Sequence, residues 1–383
     1  MTRLRVLAAM SGGVDSAVAA ALAAEQGHDV TGVTLKLACL GKAPASPRAC
    51  CTLDAIDDAR RTAQRMGFAH HVLDAEDVFR ERVLQPFADA YAAGRTPYPC
   101  ALCNQHLKFG DLVRRMELIG ADVLVTGHYA RVREATPGDF GLFRAVDAAK
   151  DQTYALALVP RSALARVRLP LGDHSKAEVR GHAKRLGLAV WDKTESQDLC
   201  FVHDGDYAGY LTGTLGETRG TAPGAFVDAA GKRVGTHRGV LHYTVGQRRG
   251  LGLPGAEPFY VLAIDAAANT VTVGTREELA SPGLVTGAMN WLADPPADGT
   301  HLRVRIRYNH AGVGASVRTA EGGAIEVRFD EPQAAVTPGQ LAVLDDGERC
   351  LGGAPIACAL GGAGGRGAGA VAGAMPTAAQ STR

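Results

Sequence analysis

The chain carries almost no net charge: 41 Lys and Arg face 40 Asp and Glu across 383 residues. Bulk charge therefore announces no nucleic-acid partner, and any basic surface must be local. Long apolar runs are missing as well. No stretch approaches the roughly 18 residues of a membrane span, and no charged-then-apolar leader precedes the first apolar segment. The eight cysteines, Cys39, Cys50, Cys51, Cys100, Cys103, Cys200, Cys350 and Cys358, are irregularly spaced in a long chain. That argues against a secreted disulfide framework. A cytoplasmic protein with thiol, metal or redox chemistry is expected. The Gly-x4-Gly-Lys-Ser/Thr loop of ordinary nucleoside triphosphatases is absent too. What the chain does have is core material, 46% hydrophobic. It is too long for one compact core, so two or three domains are expected.

A different glycine loop stands at the start. Ser11-Gly12-Gly13-Val14-Asp15-Ser16 directly follows an apolar run over residues 4–10, and Ala17, Val18, Ala20, Ala21 and Leu22 then give a helical stripe. A strand emptying through glycines into a helix aims backbone N–H groups and the positive end of a helix dipole at one spot, which suits an anion. Gly12 and Gly13 let a phosphate approach the backbone, and Ser11 and Ser16 add hydroxyls. Asp15 makes sense beside a polyphosphate if a metal ion offsets the repulsion or if it caps the helix. All of these positions match the SGG-x-DS signature of the PP-loop ATP pyrophosphatases. That resemblance implies cleavage of ATP between its α and β phosphates and adenylylation of a carbonyl oxygen.

The first half of the chain alternates strand candidates, at residues 4–10, 30–37, 69–73 and 123–126, with helical patterns such as Ile56, Ala59, Ala63 and Met66. This predicts an α/β domain with a parallel sheet covered on both faces. Ligands bind such sheets at the carboxyl ends of the strands, where the glycine loop and Gly127-His128 both fall. From about residue 213 the pattern changes to short strands, at 260–264, 270–273, 302–308, 316–319, 325–329 and 341–344, with Gly-rich turns. The expected division is a nucleotide-binding and catalytic domain over 1–212, a small central β-rich domain over 213–288, a C-terminal β-barrel over 289–358 and a disordered Gly/Ala-rich tail over 359–383. Residues 290–296 read as the joint before the barrel.

Cys100 and Cys103 form a C-x-x-C after Pro97-Tyr98-Pro99, and Asn104 could cap the next helix and favour a thiolate at Cys103. Cys200 stands in Leu199-Cys200-Phe201. No second C-x-x-C and no paired histidine spacing is present, so a full zinc site is not expected. Cys39, Cys350 and Cys358 read as apolar filler, and the Cys50-Cys51 pair as structural or incidental.

At this point the chain resembles the bacterial tRNA-specific 2-thiouridylases over about residues 3–356. The landmarks are Met10–Ser16, Gly94-Arg95-Thr96-Pro97, Leu102-Cys103-Asn104, Lys108-Phe109, Thr126-Gly127-His128-Tyr129, Lys150-Asp151-Gln152-Thr153-Tyr154, Ser196–Phe201, Tyr243-Thr244-Val245-Gly246-Gln247-Arg248 and Thr337-Pro338-Gly339-Gln340. The resemblance implies a PP-loop domain followed by two β-rich domains. It also implies 2-thiolation of the wobble uridine of tRNA, with ATP and Mg2+ adenylylating the uracil O2. Sulfur would come as a persulfide from a cysteine desulfurase or relay protein. It implies Cys103 as nucleophile and Cys200 as the persulfide carrier, with a Cys103–Cys200 disulfide between them. It places ATP on Ala9, Met10, Ser11, Gly12, Gly13, Val14, Asp15, Ser16, Leu35 and Gly127, although Leu35 reads equally as a sheet-core leucine. It places tRNA on His128, Lys150, Asp151, Gln152, Arg307, Tyr308 and Gln340.

One position departs from many relatives: Cys100 stands where some carry an aspartate proposed as acid/base. Three cysteines at one expected site also raise an alternative, an oxygen-sensitive [4Fe–4S] cluster that binds sulfide. Other PP-loop adenylating ligases, and a non-catalytic sulfur carrier, are the competing classes. They leave the cysteine contexts or the loop unused. For tRNA phosphates, Arg303, Arg305 and Arg307 alternate along an expected strand and would face one side, either as a backbone track or as a solvated face. Lys176, Arg180, Lys184 and Arg185 give a basic helix face, and Lys232, Arg233, Arg238, Arg248 and Arg249 add loop charge.

Overall fold

The computed structural model describes residues 2–37, 53–194, 199–202, 206–215, 220–255 and 257–361. The first strand, β1 (Arg5–Ala9), buries Val6, Leu7 and Ala8 because it is central, with a parallel neighbour on each side. Next come α1 (Val14–Glu25), β2 (Asp29–Lys36), α2 (Leu53–Met66), β3 (Ala69–Asp74) and β4 (Val123–Thr126). The alanine-rich α1 is buried on nearly every side, and its small side chains let it lie close to the sheet. On α2, Ala55, Ile56, Ala59, Thr62 and Ala63 face inward while Arg60–Asp57 and Arg61–Asp58 pair on the outside.

A hairpin follows, β5 (Arg131–Thr136) and β6 (Asp139–Phe143), and then the short β7 (Val167–Arg168). The parallel sheet has the order β3-β2-β1-β4-β7. Strand order reverses between β1 and β4, which opens a crevice at their carboxyl ends.

The central domain is a sheet of β8 (Gly224–Val227), β9 (Arg233–His237), β10 (Tyr260–Asp265) and β11 (Thr270–Gly274), over a core of Phe226, Val240, Tyr243, Val261, Val271 and Val273. A helix, Tyr207–Leu215, runs across the expected boundary at 212/213. Then come β12 (Ala280–Thr286), β13 (Asn290–Trp291), β14 (His301–Arg305), β15 (Val313–Thr319), β16 (Ile325–Ala334), β17 (Leu341–Asp346) and β18 (Arg349–Ala359). Ladders in the order β12-β16-β15-β14-β17-β18, with β18 pairing back to β12, close a six-stranded barrel.

The barrel differs from expectation at its edges. Because β12 supplies the closing ladder, the barrel begins before residue 289. The 290–296 segment is not a loose joint: β13 pairs with β18, and Asn290 Nδ2 donates to the carbonyls of Ala157 and Val159 at 2.9 and 3.0 Å. Ala359 still pairs with Leu284, and the tail beyond residue 361 lies outside the described residues. The strand expected over 302–308 stops at Arg305. Finally, β6 pairs with β18, Cys350 opposite Leu142, so the catalytic domain's hairpin lengthens the barrel sheet. One core cluster contains Leu124, Leu156 and Val167 together with Leu292, Leu341, Val343 and Cys350.

Candidate active site

The glycine loop occupies the crevice between β1 and β4. Gly12 has φ +70°, and a Cβ there would lie 2.1 Å from the Ala55 carbonyl oxygen, so only glycine fits. Gly127, just past β4, abuts the first turn of α1: its missing Cβ would stand 2.6 Å from the Ser16 nitrogen. Gly13 precedes α1 without any side-chain cap, which leaves the helix's first N–H groups directed at the crevice. The Ser16 hydroxyl is engaged within the loop itself. The Ser11 N–H donates to Ser16 Oγ at 3.0 Å, and buried Ser16 Oγ donates to the Gly13 carbonyl at 3.1 Å. These bonds tie the loop into shape.

Asp15 Oδ1 accepts from Tyr129 Oη at 2.8 Å and from Lys176 Nζ at 2.7 Å. On the other flank Lys193 Nζ donates to the Gly12 carbonyl at 3.0 Å and pairs with Asp58. Thr34 Oγ1, on β2, donates to the Met10 carbonyl at 2.8 Å and meets His70 Nε2 at 2.9 Å. Burial holds His70 below its ordinary pKa and so favours the neutral ring. Leu35, at the end of β2, packs between two apolar clusters. Tyr129, Lys193, Thr34 and His70 were not anticipated. The one signal was that Tyr129 directly follows Gly127-His128.

The cysteines sit on one helical run. It begins as Pro99–Cys103, widens into a π-helical stretch, Asn104–Asp111, and ends as Leu112–Leu118. Asn104 is helical and does not cap. Its Nδ2 donates to the Ala155 carbonyl at 3.0 Å, so Cys100, not Cys103, lies in the first turn. Cys103 and Cys200 pack against the same cluster, with Phe79, Phe87 and Phe201 at its centre and Leu37 from the end of β2. Burial, helped by Cys100 and the neighbouring tyrosines, pushes the Tyr98 hydroxyl's pKa up. Among the described residues no group of three or more His, Cys, Asp or Glu is gathered to hold a metal ion. Cys100, Cys103 and Cys200 do not form such a group. Cys350 is fully buried, as filler should be, and Cys358 is partly buried; Cys39, Cys50 and Cys51 lie outside the described residues.

Family models match in three consecutive blocks: a tRNA methyl transferase HUP domain over residues 4–204, a tRNA methyl transferase PRC-barrel domain over 205–275, and an aminomethyltransferase beta-barrel domain over 281–356. A protein of Geobacter metallireducens named tRNA-specific 2-thiouridylase MnmA is 44% identical over 94% of this chain and 98% of its own length. A protein of the same name from Rhodospirillum rubrum is 47% identical over 91% of this chain and 95% of its own. The chain belongs to the tRNA-specific 2-thiouridylase family. Among solved structures, an NMN synthetase from Francisella tularensis aligns over 56% of this chain and 78% of its own, with 18% identity and a TM-score of 0.33, too low to carry an argument.

Within this thiouridylase fold the residues expected to meet tRNA divide into two groups. His128 is half-buried, with Nδ1 2.7 Å from Thr126 Oγ1 and its ring against Phe109. Burial, aided by Lys108, holds its pKa well below the usual value, so it is neutral near pH 7. Tyr308 is exposed and stacks on Tyr98 at 6.2 Å, which brings the barrel over the start of the cysteine helix. Arg307 is exposed beside it, and Lys150 is half-buried.

The other group is turned inward. Asp151 is buried and accepts from the Ala145 N–H, Thr153 Oγ1 and Arg305. Gln152 is bonded to the Tyr129 backbone through both its own N–H and its Oε1. Gln340 Nε2 donates to the Thr96 carbonyl at 3.1 Å. Arg305 corrects the expected phosphate track: it is 2% exposed and pairs with Asp345 and Asp151. Arg303 shares its face of β14 but is exposed, because the catalytic domain covers only Arg305. The basic face expected on the helix Lys176–Arg185 is largely engaged within the protein: Lys176 on Asp15, Arg185 on Glu25, and Lys184 over the Trp191 ring. Arg238, Arg248 and Arg249 are exposed.

Proposed function

We propose that this protein replaces O2 of a tRNA uridine, the wobble uridine, with sulfur at the expense of ATP, acting in the cytoplasm. The observation that carries this reading is the packing of Cys103 and Cys200 into one apolar cluster with Leu37, at the carboxyl end of the strand next to the phosphate loop.

A uracil carbonyl is a poor electrophile. In the first step its O2 attacks the α-phosphorus of ATP, the bond to the β-phosphate oxygen breaks, and pyrophosphate leaves. The N–H groups at the start of α1 favour the phosphate charge. Asp15 would hold Mg2+, and the ion would supply charge neutralisation on the phosphates. In the second step the outer sulfur of a Cys200 persulfide attacks C2, and AMP leaves with the former O2. The Cys103 thiolate then attacks Sγ of Cys200. The sulfur–sulfur bond breaks, the 2-thiocarbonyl remains on the tRNA, and a Cys103–Cys200 disulfide closes for reduction by an external thiol. The persulfide is supplied by a cysteine desulfurase or a relay protein. Arg307, Tyr308, His128 and Lys150 are the contacts proposed for RNA, with the Tyr308 ring available for stacking.

The test pairs two readouts on the purified protein with tRNA, ATP, Mg2+ and a persulfide donor: pyrophosphate release, and 2-thiouridine by mass spectrometry. Asp15→Ala should abolish both. Cys103→Ser and Cys200→Ser should keep pyrophosphate release and lose 2-thiouridine. Cys100→Ser should slow thiolation without ending it, and Cys100→Asp should recover part of the rate, since a carboxylate can move a proton where Ser cannot. Thiolation at the wild-type rate by Asp15→Ala or by Cys200→Ser would sink the reading.

A further inference from the structure

Asp15 is not an isolated carboxylate waiting for a cation. Its Oδ1 already takes an ammonium hydrogen bond from Lys176 and a hydroxyl hydrogen bond from Tyr129, at 2.7 and 2.8 Å. The lysine comes from a distant element, the helix Lys176–Arg185, whose start is fixed with care. Ser175 and Glu178 form a reciprocal capping box, and the Lys176 N–H donates to Asp147 Oδ2 at 3.0 Å. The backbone is thereby held while the four-carbon stem remains the adjustable part. Its Nζ lies 5.7 Å from the centre of the Tyr129 ring, and the side chain is only 14% exposed. A mostly desolvated ammonium is thus kept against the phosphate loop.

Polyphosphate brought to this loop would meet the Asp15 carboxylate and be repelled by it. A divalent cation would resolve this by taking the carboxylate, and Lys176 would give up this ion pair as phosphate oxygens arrive within reach of its stem. We propose that Lys176 belongs to the nucleotide site and works by exchange: it neutralises Asp15 through the ion pair seen here and passes to the phosphates of ATP once a divalent cation binds Asp15. Tyr129 is the positioning residue that keeps the carboxylate aimed while its cations change. This rests on the reading of the loop as an ATP site.

The experiment is equilibrium dialysis of labelled ATP, with and without Mg2+, on full-length protein whose folding is checked by thermal melting. With Mg2+, Lys176→Met should weaken ATP binding about tenfold, the loss of one charged hydrogen bond, and Lys176→Arg should keep most of the affinity. Asp15→Asn removes that ion pair without any metal. It should therefore bind ATP more tightly than wild type in the absence of Mg2+, and adding Lys176→Met should cancel that gain. A purely structural lysine predicts the same fractional loss in every background, so the Asp15→Asn gain, from relieved repulsion alone, would survive Lys176→Met. An Asp15→Asn gain that survives Lys176→Met, or an unchanged dissociation constant for Lys176→Met with Mg2+, would overturn the exchange and leave the loop assignment standing. Failure of the wild type to bind ATP with Mg2+ would instead overturn the loop assignment itself.

Discussion

At the scale of residues, charge state decides what each group can offer. His128 is held neutral by burial, so the contact proposed for it with RNA would be a hydrogen bond and not an ion pair with phosphate. The same depression has a stability consequence. The unfolded chain takes up a proton near pH 6.5 and the folded one does not, so stability is present above that value and is lost as pH falls below it. The loss per unmatched proton is at most about 1.4 kcal/mol per pH unit. His70, His106, His237, His242 and His310 are shifted in the same direction. The midpoint of thermal unfolding should therefore drop steadily between pH 6.5 and 5, and His128→Gln should flatten part of that slope. An equal slope in the variant would show that His128 is protonated in the fold. The phosphate loop and Gly127 were legible because their geometry is local and glycine-specific. Lys176 and Tyr129 were not legible as partners of Asp15, since they lie 161 and 114 residues from it.

At the scale of elements, apolar runs announced the parallel strands well: the run 30–37 became β2, and 123–126 became β4. The hairpin β5–β6 gave no such signal, because most of β5 is exposed and polar. The Thr337-Pro338-Gly339-Gln340 turn shows what a motif can hide. It reads as a substrate contact, yet it clamps the segment leading into the cysteine helix. The Thr96 N–H donates to the Pro338 carbonyl at 2.9 Å, and Gln340 holds the Thr96 carbonyl. Gly339 has φ +94°, and a Cβ there would meet the Thr96 backbone at 2.9 Å. Gly339→Ala should cost about 1–3 kcal/mol through backbone strain. It should also slow thiolation more than pyrophosphate release, because the displaced segment carries the thiols. Melting and the paired product assays measure both. Equal slowing of the two steps would place the clamp's influence elsewhere.

At the scale of the whole molecule, the barrel and the catalytic domain share a sheet through β6 and β18, a hydrophobic core, and the buried Arg305–Asp345–Asp151 group. Burial raises the Asp345 pKa while Arg305 pulls it down, so the arginine keeps both carboxylates tolerable. Arg305→Ala should cost about 3–5 kcal/mol by leaving the buried Asp345 carboxylate without its paired cation. Calorimetry should show one transition for barrel and catalytic domain together in wild type, and a lower one in the variant. Separate peaks in wild type would contradict the shared core. A joint of this kind has a further consequence. A barrel hung on a linker could swing to suit RNAs of different length, but one stitched in by continuous backbone pairing is a ruler of fixed span. The position of the barrel relative to the cysteine helix is then set by the protein, and an RNA contacting both would have to match it. Adding one base pair to the anticodon stem should leave the tRNA bound and its uridine out of register, unthiolated.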